Sequence, residues 1–182
     1  MVIIITGKRK VGKTFACNLI KNEYAFTYID INKSIDIFLK DVMGYDVPNQ
    51  NDDFWRVNIE NLRDSVRLNL ISKEFTNSCP DLMQIAPYFW LHIALKTLDF
   101  TKNMVFDGIV SDQEIEVVSK ICNHFKTPCK VIAVKRATNK EYLIDPFVSR
   151  LKKFDSFIEN ESSLLNFEQL LRNKIEKIIK SA

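Results

Sequence analysis

Glycine is nearly missing from this chain: four in 182 residues, about 2% against a usual ~7%. That excludes collagen-like and glycine-rich low-complexity structure. Histidine is scarcer still, with only His92 and His124. The four cysteines stand at positions 17, 79, 122 and 129 and form no C-x-x-C pair. A zinc site needs more Cys and His at closer spacing, so the thiols read as reduced, structural groups of a cytoplasmic protein, in host cytoplasm if the source is viral. No apolar run is long enough to span a bilayer. The opening MVIIITGKRK puts its charge after the apolar residues, the reverse of a signal peptide, and reads as a strand. There is no lipidation motif. Lys and Arg total 26 against 23 Asp and Glu, and a net charge of +3 is too weak to indicate nucleic acid. No internal repeat and no Pro/Gly/Ser-rich linker divides the chain.

What is present suits a folded globular chain. Apolar residues make up 46%, with 13 Phe and two Trp, enough for a core without disulfide or metal staples. Val2–Thr6 is β-branched and apolar, a fully buried strand by pattern. Thr14–Glu23 reads as a helix with Phe15, Leu19 and Ile20 on one face. A second strand is expected over Phe26–Ile31 and a helix over Lys33–Met43. Gly44–Asp53 is turn-rich. Helical pattern then covers Phe54–Phe75 and, after Pro80, a stretch to about Asp99 that Pro87 splits or kinks. His92, among Phe89, Trp90, Leu91 and Ile93, reads as a packed helix residue. Met104–Phe106 is a short strand ending at Asp107. Ser111-Asp-Gln-Glu114 is a capping box opening a helix whose apolar face holds Ile115, Val118 and Ile121. Lys130–Val134 and Phe154–Ile158 are further strands, and a last amphipathic helix carries Leu164, Leu165, Leu170, Leu171, Ile175 and Ile178. Strands alternating with helices imply crossovers and a parallel α/β sheet.

Two of the few glycines frame Gly7-Lys8-Arg9-Lys10-Val11-Gly12-Lys13-Thr14, the full G-x4-G-K-[ST] pattern between a strand and a helix. Such a loop wraps a phosphate chain, with successive backbone N–H groups turned inward and the helix N-terminus adding partial positive charge. Lys13 reaches the β and γ phosphates and the Thr14 hydroxyl ligates Mg²⁺ in this scheme. Lys8, Arg9 and Lys10 either add positive potential at the nucleotide mouth or are plain solvated charge.

An apolar strand ending in Asp107 is where parallel folds place a magnesium-organising or substrate-positioning acid. Asp30, at the end of the second strand, is a candidate to face the acceptor. Arg56, Arg63 and Arg67 lie in one helical stretch, with 63 and 67 sharing a face. They are either donors to an acceptor phosphate or a solvated face paired with Glu60, Asp64 or Glu74. The basic stretch of Lys135, Arg136, Lys140, Arg150, Lys152 and Lys153 has the place of a lid that closes over phosphates, and Arg136 and Arg150 are its candidates for neutralising charge on the transferred group. No Ser/His/Asp or Cys/His arrangement stands out, and phosphoryl transfer needs none.

IIITGKRKVGKTFACNLI, VFDGIVSDQEIEVV and FDSFIENESSLLNFEQLL resemble, in order, elements of the P-loop NMP-kinase-like group, specifically bacteriophage deoxynucleoside monophosphate kinases and animal-type phosphomevalonate kinases. The resemblance implies a single P-loop kinase domain over 1–182: a three-layer sandwich with a five-stranded parallel sheet in the order 2-3-1-4-5. Residues 44–100 would be its acceptor-binding side and 136–153 its lid. It implies ATP and Mg²⁺, phosphate-loop roles for Gly7, Gly12, Lys13 and Thr14, an acid role for Asp107, and a place near the adenine base for Asn160. The expected acceptor is a phosphorylated small molecule, a (deoxy)nucleoside monophosphate first and phosphomevalonate second. No nucleic acid or membrane partner is expected, and the protein would be a monomer or homodimer. The chain departs from these families in three places. Thr14 stands where Asp is usual, Asp107-Gly-Ile109 replaces Asp-x-Arg, and the His-containing acidic lid element is missing. A nucleotide-binding protein without turnover is the competing class. A GTPase is disfavoured, because Asn139-Lys140 is followed by Glu141-Tyr142 and no N-K-x-D motif results.

Overall fold

In the computed structural model, which describes residues 1–8, 10–37, 40–41, 89–96, 98–109, 111–136, 152–160 and 163–181, Val2–Thr6 forms strand β1 with every side chain buried. All of its residues are β-branched, which suits a pleated backbone covered on both faces. Helix α1 (Lys13–Tyr24), β2 (Thr27–Asp30), α2 (Lys33–Ile37), α3 (Phe89–Leu95), β3 (Met104–Asp107), α4 (Asp112–His124), β4 (Cys129–Lys135), β5 (Ser156–Glu159) and α5 (Leu164–Lys180) follow. The strands make one sheet in the order β2-β3-β1-β4-β5, and each pair is parallel. Both the parallel α/β class and the strand order agree with expectation.

One face of the sheet, carrying Ile3, Ile5, Val105, Ile132, Val134 and Ile158, packs against Ala16, Cys17 and Ile20 of α1 and Phe167, Leu171 and Ile175 of α5. On α4, Ile115, Val118 and Cys122 are buried, and this helix packs on β4. Parallel strands with crossover helices on both faces are the result the alternating pattern required.

Local signals explain the ends. Ser111 Oγ accepts from the Glu114 N–H and the Glu114 carboxylate accepts from the Ser111 N–H, both at 3.2 Å, so the capping box forms as read. The last helix differs from its reading. Phe167, Leu171, Ile175 and Ile178 make the buried stripe, while Leu164, Leu165 and Leu170 are exposed. Positions 167, 171, 175 and 178 repeat at helical spacing; 165 and 170 fall off that line, and 164 sits in the first turn. Strand β5 begins two residues later than expected, because Asp155 turns its carboxylate onto the Val131 N–H at 2.7 Å and its own N–H onto the Val131 carbonyl. His92 is exposed rather than packed: α3 turns Trp90 and Leu91 inward instead. The helical reading of Phe54–Phe75, the turn-rich Gly44–Asp53 and the Pro87 break lie outside the described residues.

The chain divides into two compact units, Met1–Asp30 with Asp99–Ala182, and Ile31–Leu98. The first holds the whole sheet with α1, α4 and α5. The second holds α2 and α3, which contact each other. Among the described residues no helix is long and apolar enough to cross a membrane.

Candidate active site

The loop from Gly7 to Gly12 turns on backbone that side chains disfavour. Gly7 has φ +143° and Gly12 φ +107°. A Cβ on Gly7 would lie 2.2 Å from the Val134 carbonyl oxygen, and one on Gly12 would lie 2.9 Å from Asn160 Nδ2 and 3.2 Å from the Phe167 ring. Glycine is therefore required twice over, by conformation and by close approach. Val11 is buried, and its carbonyl accepts from Asn160 Nδ2 at 2.8 Å. Helix α1 starts directly after, with Gly12 in the cap position, no side-chain cap among the described residues and no acid in the first turn. The dipole of such a helix end favours negative charge.

Lys13 turns its ammonium back over the loop and donates to the Lys8 carbonyl at 2.8 Å. Thr14 Oγ1 donates to Asp107 Oδ2 at 2.8 Å across 93 residues of sequence. Asp107 is 5% exposed, and its other oxygen, Oδ1, accepts from the Gly108 N–H at 2.8 Å. Gly108 takes φ +87° to make that turn, so three of the chain's four glycines border this site. The buried Thr6 hydroxyl donates to the Ile109 carbonyl at 2.9 Å, tying the root of the loop to the turn after β3.

Two further residues stand at the same strand ends. Asp30 pairs in register with Asp107, and Tyr28 with Val105, two residues before it, so Tyr28 and Asp30 share a face of the sheet with Asp107. Tyr28 Oη donates to Asp107 Oδ2 at 3.3 Å. Burial raises the Tyr28 pKa first, and the charges of Asp107 and Asp30 raise it further, which keeps the phenol a donor. The Cys17 thiol is pushed well up by burial and then by the same two carboxylates, as befits a structural thiol. Tyr28 was not singled out from sequence. Its i, i+2 relation to Asp30 was the available signal.

Of the remaining sequence candidates, Lys8 and Lys10 are exposed on the loop and Arg136 is exposed just past β4. Arg9, Arg56, Arg63, Arg67 and Arg150 lie outside the described residues. Lys135 holds its ammonium 4.7 Å from the centre of the Phe157 ring. Among the described residues no group of three or more His, Cys, Asp or Glu could hold a metal ion.

No protein-family model matches the chain, and no curated protein matches it either. Solved structures do. Dephospho-CoA kinase from Campylobacter jejuni is similar at a TM-score of 0.52 and 16% identity, over 99% of this chain and 98% of that one. A proposed kinase from Chloroflexus aurantiacus gives a TM-score of 0.54 at 9% identity, over 100% and 97%. What they share with this chain is the fold, the P-loop three-layer α/β sandwich. In that P-loop fold, ligands gather at the carboxyl ends of the parallel strands, where Gly7, Thr14, Asp30 and Asp107 stand.

Proposed function

We propose that the protein is an ATP-dependent kinase that transfers the γ-phosphoryl group to a phosphorylated small molecule, a (deoxy)nucleoside monophosphate before phosphomevalonate. The observation that carries this reading is the 2.8 Å bond from Thr14 to Asp107 at the open N-terminus of α1. It brings two hard oxygens to the N-terminus of α1, whose dipole favours phosphate. Mg²⁺ is held through few protein oxygens together with phosphates and water, and a pair such as Thr14 and Asp107 fits that demand. Bound there, the ion would neutralise charge on the phosphates. In this scheme the loop amides orient the phosphate chain, and Lys13 exchanges the Lys8 carbonyl for phosphate oxygens. Asn160 holds the loop from behind, with the adenine base placed near it by resemblance. Asp30, Arg56, Arg63 and Arg67 are proposed for the acceptor, and Arg136 and Arg150 for the transferred group. Residues 44–100 and 136–153 are the proposed acceptor region and lid of one kinase domain. The kinase names of the two structural neighbours agree with the reading.

A screen for ADP release over deoxynucleoside monophosphates, nucleoside monophosphates and phosphomevalonate tests the acceptor. Lys13→Ala is expected to lower kcat by about 100-fold or more, as loss of one charge-stabilising donor does, with an unchanged circular-dichroism spectrum. Undiminished ADP formation in that variant removes Lys13 and the loop from the chemistry.

One observation favours a second reading, a nucleotide-binding protein without turnover. Ile109, in the position where the resembled families carry arginine, is 1% exposed and built into the core through its carbonyl. That reading expects Mg·ATP binding with no acceptor-dependent ADP release.

A further inference from the structure

The Asp107 carboxylate accepts from three elements at once. Gly108 N–H holds Oδ1, while Thr14 of α1 and Tyr28 of β2 both hold Oδ2. The first bond is local to the turn. Thr14 donates to Oδ2 from a short rotatable side chain, and the last torsion of an aspartate is a soft one, so a second donor on that oxygen narrows its range. Tyr28 is different. Its ring packs against the core, its register puts it two residues behind Asp107 on the same face, and its hydroxyl reaches the carboxylate at 3.3 Å. A rigid ring carrying a single hydrogen-bond donor is suited to fix an acid that must present itself in one orientation.

Resting on the reading that Thr14 and Asp107 serve a Mg²⁺-bound nucleotide, we propose that Tyr28 is a positioning residue for that ion: its hydroxyl sets the Asp107 carboxylate in the orientation that, with the Thr14 hydroxyl, receives the metal. Tyr28 touches neither nucleotide nor acceptor in this role and acts only through Asp107. Groups that orient a ligating side chain in this way are worth about 10–100-fold in metal affinity. The 3.3 Å bond points to the lower end of that range.

Tyr28→Phe keeps the ring and removes only the hydroxyl. Binding of a non-hydrolysable ATP analogue is measured by calorimetry in EDTA, and Mn²⁺ binding to the protein–analogue complex by electron paramagnetic resonance. The expected result is unchanged affinity for the metal-free analogue and about 10-fold weaker Mn²⁺ binding in the variant. Equal Mn²⁺ affinity in variant and parent overturns the proposal. So does an equal loss with and without metal, which marks a merely structural tyrosine. If the parent binds neither the metal-free nor the Mn²⁺-bound analogue, the kinase reading itself fails and takes this proposal with it; a parent that binds both, beside an unaffected variant, sinks the role of Tyr28 alone.

Discussion

At the scale of the single residue, Gly7 makes the sharpest demand. Any side chain there meets the Val134 carbonyl at 2.2 Å, from a φ of +143° that L-residues rarely adopt. Backbone must move at the end of β4 to admit even a methyl group. Gly7→Ala is therefore expected to cost about 1–3 kcal/mol, the usual penalty of overpacking, and to weaken nucleotide binding at the same time. Urea denaturation and calorimetric titration check the two effects, and a variant as stable as the parent contradicts the close approach. The pattern running from Gly7 to Thr14 was readable because it is local: it is complete within eight consecutive residues. Asp107 was readable because an apolar strand ends on it. Tyr28 was not, since its partner lies 79 residues away and only the register of β2 on β3 brings them together. Asn160 was placed by resemblance near the base. Its bond to the Val11 carbonyl, across 149 residues, follows from no spacing in the sequence.

At the scale of the element, scarcity of glycine leaves a cost. Helix α1 ends on Ala25 at φ +57°, and Lys126 follows α4 at φ +53°, places where glycine is the usual residue. Left-handed backbone costs a residue with a Cβ roughly 1–2 kcal/mol, against about 0.5–1 kcal/mol of extra chain entropy for glycine. Ala25 is exposed and gives up no packing. Ala25→Gly is expected to stabilise the protein by up to about 1 kcal/mol, seen as a higher denaturation midpoint.

Helix α4 offers a test by acid. Hydrogen bonds from Lys153 and then Lys120 hold the Glu116 carboxyl down from its ordinary 4.5 to about 2. A lowered carboxyl contributes stability that is present above pH 4.5 and lost as pH falls toward 2. Glu116→Gln is expected to flatten that part of the stability curve, and salt to shrink the difference, because the groups face solvent. Identical acid limbs for variant and parent remove the pair from the account. The same scale shows where pattern reading stops. The capping box at Ser111 was legible because its two partners are three residues apart. The buried stripe of α5 was misjudged at Leu164, Leu165 and Leu170, because a run of leucines satisfies several helical phases and only contact with Phe15 and the sheet selects the one through Phe167.

At the scale of the whole molecule, the β-branched runs at Val2–Thr6 and Lys130–Val134 announced buried strands. The place of each strand in the order came from resemblance, since composition and spacing do not say which strand lies beside which. The Thr6 hydroxyl that reaches Ile109, from a strand flanked on both sides by β3 and β4, has a consequence for measurement. The loop is rooted in the portion of the chain expected to open last, so an occupied loop should slow deuterium uptake throughout the three inner strands instead of only at its own amides. Mass-spectrometric exchange with and without Mg·ATP would register that broad protection before any acceptor is known, and protection confined to residues 7–14 would mean that the grip on the nucleotide is decoupled from the sheet beneath it.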